Sequence, residues 1–385
     1  MPLLHHPLPS LVRLDVEFMN PRSLQKSLES FPNFSPNIRK LFISVYGGDQ
    51  FIKIEPNYLC HWRNLCVVSC IQVALDRKAF MHLSRMPALT WLECALSATV
   101  TFPVSDSPLS LSTLRKIVLS SNFLDPISRL LSQTRPPAIK EFSAFIDDRP
   151  ARRELSSFLA SVQTSDAGNT VQELLLYQSC DFLGNSLRSE TPLLGSKDLQ
   201  PCLQFSNLRR LCLNIEWNVG LTDDGVLELV SKCPRLEDLR INEHWGWNSR
   251  GGITPGGLVQ LLQTRQSLRR LALLIDTRGY TEIRESLASL GLTSPTFSTL
   301  NVLSSIIEAE LVPAIATLLS DIAACTTNYL FFSAWEYLVV DHPNTRNFGV
   351  MSKVESMNHS VGPHHCSDLR LRQRNRITCL RAEQG

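Results

Sequence analysis

The chain writes one apolar skeleton twice in immediate succession. Leu221–Ile241 reads LTDDGVLELVSKCPRLEDLRI, and Ile253–Leu273 reads ITPGGLVQLLQTRQSLRRLAL. At an offset of 32 residues, from Leu221 to Ile253, Thr222 falls on Thr254, Gly225 on Gly257 and Leu229 on Leu261. Leu236, Leu239 and Ile241 likewise fall on Leu268, Leu271 and Leu273. A unit this short cannot bury its own apolar side. Stacking one unit on the next buries a continuous core, which fixes the skeleton and frees the residues between.

The core of the repeat, L-x-x-L-x-L with other apolar residues allowed, recurs along most of the chain. It reads as Leu11/Leu14/Val16, Ile38/Leu41/Ile43, Trp62/Leu65/Val67, Leu89/Leu92/Cys94, Leu114/Ile117/Leu119 and Ile139/Phe142/Ala144. It continues as Val171/Leu174/Leu176, Leu208/Leu211/Leu213, Leu236/Leu239/Ile241, Leu268/Leu271/Leu273 and Phe297/Leu300/Val302, with a degenerate last copy at Trp335/Leu338/Val340. Spacings run from 24 residues (Ile38 to Trp62) to 37 (Val171 to Leu208). Leucine-rich repeats have periods of roughly 20–29 residues, so these fall in or just above that range.

Within each copy the apolar residues alternate with polar ones, which predicts a short strand with one buried face. Ahead of the strand lies a helical pattern. Val226, Leu229 and Val230, then Leu258, Leu261 and Leu262, mark one helical face. Thr222 and Thr254 stand at the N-cap position, Asp223 and Asp224 suit the first turn, and Pro255 sits where a helix tolerates proline. The expected fold is α/β: a curved leucine-rich-repeat solenoid of about eleven irregular repeats over 1–341. A mostly parallel sheet lines its concave face and helices lie outside. The insertions at Gln178–Cys202 and Asn242–Gly252 read as long loops. Residues 342–385 leave the repeat and read as a polar, basic, poorly ordered tail.

Composition narrows the function classes. Hydrophobic residues at 43% and charged residues at 19% belong to an ordered protein. A net charge of +2 gives no reason to expect nucleic acid. The N-terminus has no uninterrupted apolar core, and no apolar run is long enough to span a bilayer. A cytoplasmic or nuclear protein with reduced thiols is expected, with no membrane partner. Cys60, His61, Cys66 and Cys70 lack the second close pair that a zinc site needs, and they read as small core thiols. Gly251–Gly257 lacks the Lys-Ser/Thr of a phosphate loop, and the repeat accounts for it. No catalytic constellation stands out. The expected protein is not an enzyme and uses no cofactor.

The stretch Leu221–Ile241, with Thr222, Asp223, Gly225 and Val226 at its helix start and Cys233, Pro234 and Leu236 before its strand, resembles the leucine-rich repeats of F-box proteins. The long irregular copies are most similar to the F-box-domain-containing family expanded in mushroom-forming fungi. The resemblance covers about residues 8–341. It implies a curved solenoid whose repeats capture a protein for ubiquitination. In that family an F-box of about forty residues ahead of the repeats binds the ligase adaptor, and no segment here matches it. Adaptor binding is therefore implied only through an F-box upstream. The other class open to this sequence is a repeat scaffold or regulator that docks a signalling protein, with no ubiquitin role.

A binding face can be placed by strand alternation. Residues flanking the buried pair should point to the inner face: Arg210, Cys212 and Asn214, then Asp238, Arg240 and Asn242, then Arg270, Ala272 and Leu274. Their mixture of Arg, Asp and Asn suits a protein partner better than a nucleic acid. The loop INEHWGWNSRGG carries His244, Trp245, Trp247 and Arg250, and Trp217 follows the preceding strand. Those tryptophans read either as partner anchors at the rim or as covers over the open edge of the core. As anchors, Arg240 and Trp245 or Trp247 would lead.

Overall fold

The computed structural model describes residues 8–18, 35–45, 52–53, 59, 61–97, 109–135, 139–164, 170–179, 192–244, 247, 252–277, 297–303, 305, 307, 311–324 and 331–334. The chain divides into two units, Met1–Asn344 and Thr345–Gly385, and all described residues belong to the first. The expected tail at 342–385, the degenerate copy at Trp335/Leu338/Val340, and Cys60, Trp245 and Arg250 lie outside the described residues.

The described part is an α/β arrangement built on one thirteen-stranded sheet. Twelve strands follow one another in chain order. They are β1 (Arg13–Phe18), β2 (Lys40–Val45), β3 (Val67–Leu75), β4 (Trp91–Leu96), β5 (Lys116–Ser121) and β6 (Glu141–Ile146). Then come β7 (Glu173–Gln178), β8 (Arg210–Asn214), β9 (Asp238–Ile241), β10 (Arg270–Ala272), β11 (Thr299–Leu303) and β12 (Phe331–Ala334). The short strand Ile52–Lys53 adds to β3. Every pairing in the sheet is parallel. Parallel neighbours require the chain to cross back between strands. Helices make that return between several of them: α1 (Arg77–Ser84), α2 (Asp125–Gln133), α3 (Arg152–Thr164), α4 (Asp223–Lys232), α5 (Pro255–Thr264) and α6 (Val312–Ala324).

The register turns the repeated skeleton into a ladder. Leu14, Leu41, Val68, Leu92, Ile117 and Phe142 are successive partners across the sheet. The line continues through Leu174, Leu211, Leu239, Leu271 and Leu300. From Leu41 onward none of these side chains is more than 1% exposed. They share one core with Val226, Leu229 and Val230 of α4 and Leu258, Leu261 and Leu262 of α5. Phe142 meets Phe158 of α3 with ring centroids 5.7 Å apart. The helices therefore cover one face of the sheet, and the other face is open.

The third copy is corrected by three residues. Leu41 pairs with Val68, so its skeleton is Leu65/Val68/Cys70, not Trp62/Leu65/Val67. Both triplets satisfy the pattern, because Trp62 is also fully buried. It sits in the preceding turn and its indole N–H donates to the Ser35 carbonyl at 2.9 Å. After the eleventh copy the next rung described is Phe332, which pairs with Leu300. In the eleventh copy the buried third position is Leu303, not Val302, where the register shifts and φ is 52°. The insertion at Gln178–Cys202 is not all loop. Leu193–Leu194 pairs with Asn218–Val219, and Ser196–Gln204 forms a 3-10 helix that packs between α3 and α4.

The two Thr positions do different work. Thr254 caps α5, its hydroxyl accepting from Gly257 N–H at 3.0 Å. Thr222 precedes α4 without any side-chain cap bond. Asp223, next to it, instead accepts from both the N–H and the hydroxyl of Thr254, at 2.8 and 2.6 Å. The start of one helix thus ties down the start of the next. This explains the repeated glycine: a Cβ on Gly257 would lie 2.0 Å from the Asp223 carboxylate, and one on Gly225 would lie 2.1 Å from the Ser196 hydroxyl.

Candidate protein-binding face

The open face is read in rows, because parallel in-register strands align equivalent residues about 4.8 Å apart. The row nearest the strand starts runs Lys116, Glu141, Glu173, Arg210, Asp238, Arg270. Opposite charges meet along it except where Glu141 neighbours Glu173. Lys116 pairs with Glu141 at 2.9 Å, and Arg210 with Glu173 at 2.9 Å and Asp238 at 3.1 Å. Asp238 also receives Arg240 at 3.0 Å and lies 3.8 Å from Arg270. Arg240 reaches on to Glu243 at 3.2 Å. Its burial works against the charge, but Cys212, Asp238, Tyr177 and Glu243 around it together raise its pKa.

The middle row is low and largely uncharged at its centre: Val118, Ser143, Leu175 and Cys212, followed by Arg240 and Ala272. Val118, Ser143 and Cys212 are buried although they face away from the helices. The third row brings Phe145 against Tyr177, stacked with centroids 5.4 Å apart, and His244 tilts toward Tyr177 at 6.4 Å. Burial pushes the Tyr177 phenol far up, lifts the Cys212 thiol to about 11 and lowers His244. Burial also raises Glu173, against the pull of Arg210. The centre of the face is thus an apolar floor between an ion-paired row and an aromatic row.

Four of the residues expected on this face belong to it. Arg210, Arg240 and Arg270 point outward, and Asp238 organises them from beneath at 4% exposure. Asn214, Asn242 and Trp247 offer a partner no exposed surface. Asn214 is buried, its side-chain oxygen accepting from His244 N–H at 2.9 Å. Asn242 is fully buried with φ at 51°, a left-handed conformation that Asn tolerates. Its amide accepts from Ile215 N–H at 3.0 Å and donates to the Trp217 carbonyl at 2.7 Å, replacing strand bonds where the chain turns away. Trp247 is 1% exposed and donates to the Ile241 carbonyl at 2.8 Å; Trp217 is as buried and donates to the Pro150 carbonyl at 3.0 Å. For Trp247 and Trp217, of the two readings, covering the core edge is the one their burial supports. Leu274 and Ala272 are buried too.

Phe145, Tyr177, Leu175, Glu141 and Glu173 were missed. They occupy the same positions of the skeleton in the two preceding copies, so extending the register two strands back would have found them. Of the cysteine cluster, Cys66 is partly exposed, and Cys70 is buried beside its register partner Cys94. Among the described residues no helix is long and apolar enough to cross a membrane. Compared with known proteins, the chain matches no family model and no curated sequence.

Proposed function

We propose that this chain is a leucine-rich-repeat solenoid that works as a non-enzymatic protein-binding module through the open face of its sheet. The observation that carries this reading is the pairing of two faces. One is an unbroken in-register apolar ladder under helices. The other places an apolar floor between ion-paired and aromatic rows, with side chains already held in place. Aromatic and arginine side chains around a water-poor centre are the usual composition of protein contact sites. Fixed ion pairs reduce the ordering cost of binding. The resemblance of Leu221–Ile241 to F-box-protein repeats favours a substrate-recognition role in a ubiquitin ligase, in the cytoplasm or nucleus. A repeat scaffold or regulator that docks a signalling protein uses the same face without the ligase.

Photo-crosslinking residues placed at Leu175 and Tyr177, against one at Lys232 on α4, test the face. The expected result is one partner crosslinked from Leu175 and Tyr177 and not from Lys232, with the yield reduced by Arg240→Ala. Equal yields from all three positions would exclude this face. Capture of the ligase adaptor by the gene product, including any sequence upstream of Met1, separates the ligase reading from the scaffold reading.

A further inference from the structure

A second feature lies beside this face, at the strand starts. In each of the first eleven copies two residues separate the first and second skeleton positions, and the first of each pair is linked to its neighbours by backbone hydrogen bonds. These run from Arg39 N–H to the Val12 carbonyl, through Arg115, Lys140 and Arg209, to Ser298 N–H on the Arg269 carbonyl. Four copies fill both places with cations: Arg39-Lys40, Arg115-Lys116, Arg209-Arg210 and Arg269-Arg270. Adding Arg13 and Lys140, ten of the 22 positions are basic and four are acidic, a net of +6 where the whole chain has +2. The charge is therefore segregated to this edge.

The arrangement has a cost. Arg115 and Lys140 are exposed register neighbours, and like charges directly opposite one another destabilise a sheet. Arg39, Lys40, Arg115 and Lys140 form no ion pair among the described residues. Beside them lie two aromatic residues that already attract cations: the Arg13 guanidinium stands 4.7 Å from the Phe42 ring centre and the Lys116 ammonium 4.9 Å from that of Trp91.

We infer that the strand-start edge, from Arg39 to Lys140, docks an acidic polypeptide segment of the partner. This rests on the open face being a protein-docking surface and names the partner's chemistry. β2 to β6 covers four strand spacings, about 19 Å, which roughly six extended residues span. A peptide fits better than a nucleic acid. Glu141 interrupts the edge on β6, and Glu173 and the pair Glu237-Asp238 close it off beyond, on β7 and β9. A peptide sets uncharged or basic residues against those carboxylates, whereas a phosphate backbone carries charge at every step.

The test uses the full chain and two fluorescent probes, a twelve-residue Glu-rich peptide and a twelve-nucleotide oligo-dT. The peptide should bind at low salt, weaken as salt rises, and lose about tenfold or more in affinity to Arg115→Glu/Lys140→Glu. Lys232→Glu on α4 should leave it unchanged, and thermal melts check that each variant folds. No peptide binding, equal loss from Lys232→Glu, or tighter binding of oligo-dT would overturn the inference. If the peptide fails while crosslinks from Leu175 and Tyr177 persist, the edge assignment falls and the open face stands.

Discussion

The two faces of the sheet obey different rules although the same strands make both. Leu211, Leu239 and Leu271 sit in one row on the helix side and are interchangeable in kind. Arg210, Asp238 and Arg270 make the adjacent row on the open side and differ in sign from strand to strand. On the helix side each residue answers to the same packing demand from the unit before and after. On the open side each answers to its immediate neighbours, and beyond them to whatever docks. Repetition in this chain is a property of its core face, and individuality is a property of its open face.

The sharpest way to break this contrast is to truncate a rung of the ladder. Leu239→Ala removes a fully buried side chain between Leu211 and Leu271. It should cost about 2–5 kcal/mol in a denaturant titration. A cost near that of a surface substitution would mean the ladder is not the core of the unit. Asn242→Ala should come next, at roughly 1–3 kcal/mol, because it orphans Ile215 N–H and the Trp217 carbonyl in a buried setting. Asn242→Gly relieves the left-handed backbone yet still loses both bonds, so it should recover only part of the loss. Full recovery would assign the role of Asn242 to its backbone alone.

That asparagine also shows how far the sequence could be read. The period of the apolar residues fixes the strands, the ladder and the helical faces, because burial of a repeating surface leaves few alternatives. Alternation then puts Asn242 on the open face, where a sequence reader expects a partner contact. Its actual place depends on the chain turning away after Ile241, which no period encodes. Trp247 is the same case, since a loop tryptophan can point out or fold back. Trp62 differs again: two apolar triplets fit one pattern, and only pairing with Leu41 decides for Val68. Arg240 was legible because its strand is regular on both sides. Phe145 and Tyr177 were legible by the same rule, applied further along.

On the open face, Arg270→Ala should change stability by no more than about 0.5 kcal/mol. Its side chain is half exposed and only grazes Asp238, at 3.8 Å, while Arg210 and Arg240 hold that carboxylate at 3.1 and 3.0 Å. Calorimetric melting of this variant against Leu239→Ala measures the contrast between faces directly. A loss approaching that of Leu239→Ala would show that Arg270 is part of the fold, and it would cease to be a surface residue.

The smallest expected effect is a difference of none, and it probes whether the open face is open throughout. Cys212 lies in the middle row of that face, and Cys94 lies on the helix side. By side-chain direction alone, Cys212 should react first with an alkylating reagent. Yet Cys212 is 1% exposed against 0% for Cys94, and burial lifts its thiol to about 11, so the reactive thiolate is scarce at neutral pH. Cys66, partly exposed at the strand-start edge, is the internal positive control. Peptide mapping after brief iodoacetamide treatment should find Cys66 modified, with Cys212 and Cys94 both protected until the chain is unfolded. Rapid labelling of Cys212 would mean that Arg240 and Tyr177 swing away from the floor in solution. The ion-paired and aromatic rows would then be mobile flaps, and binding would have to order them first.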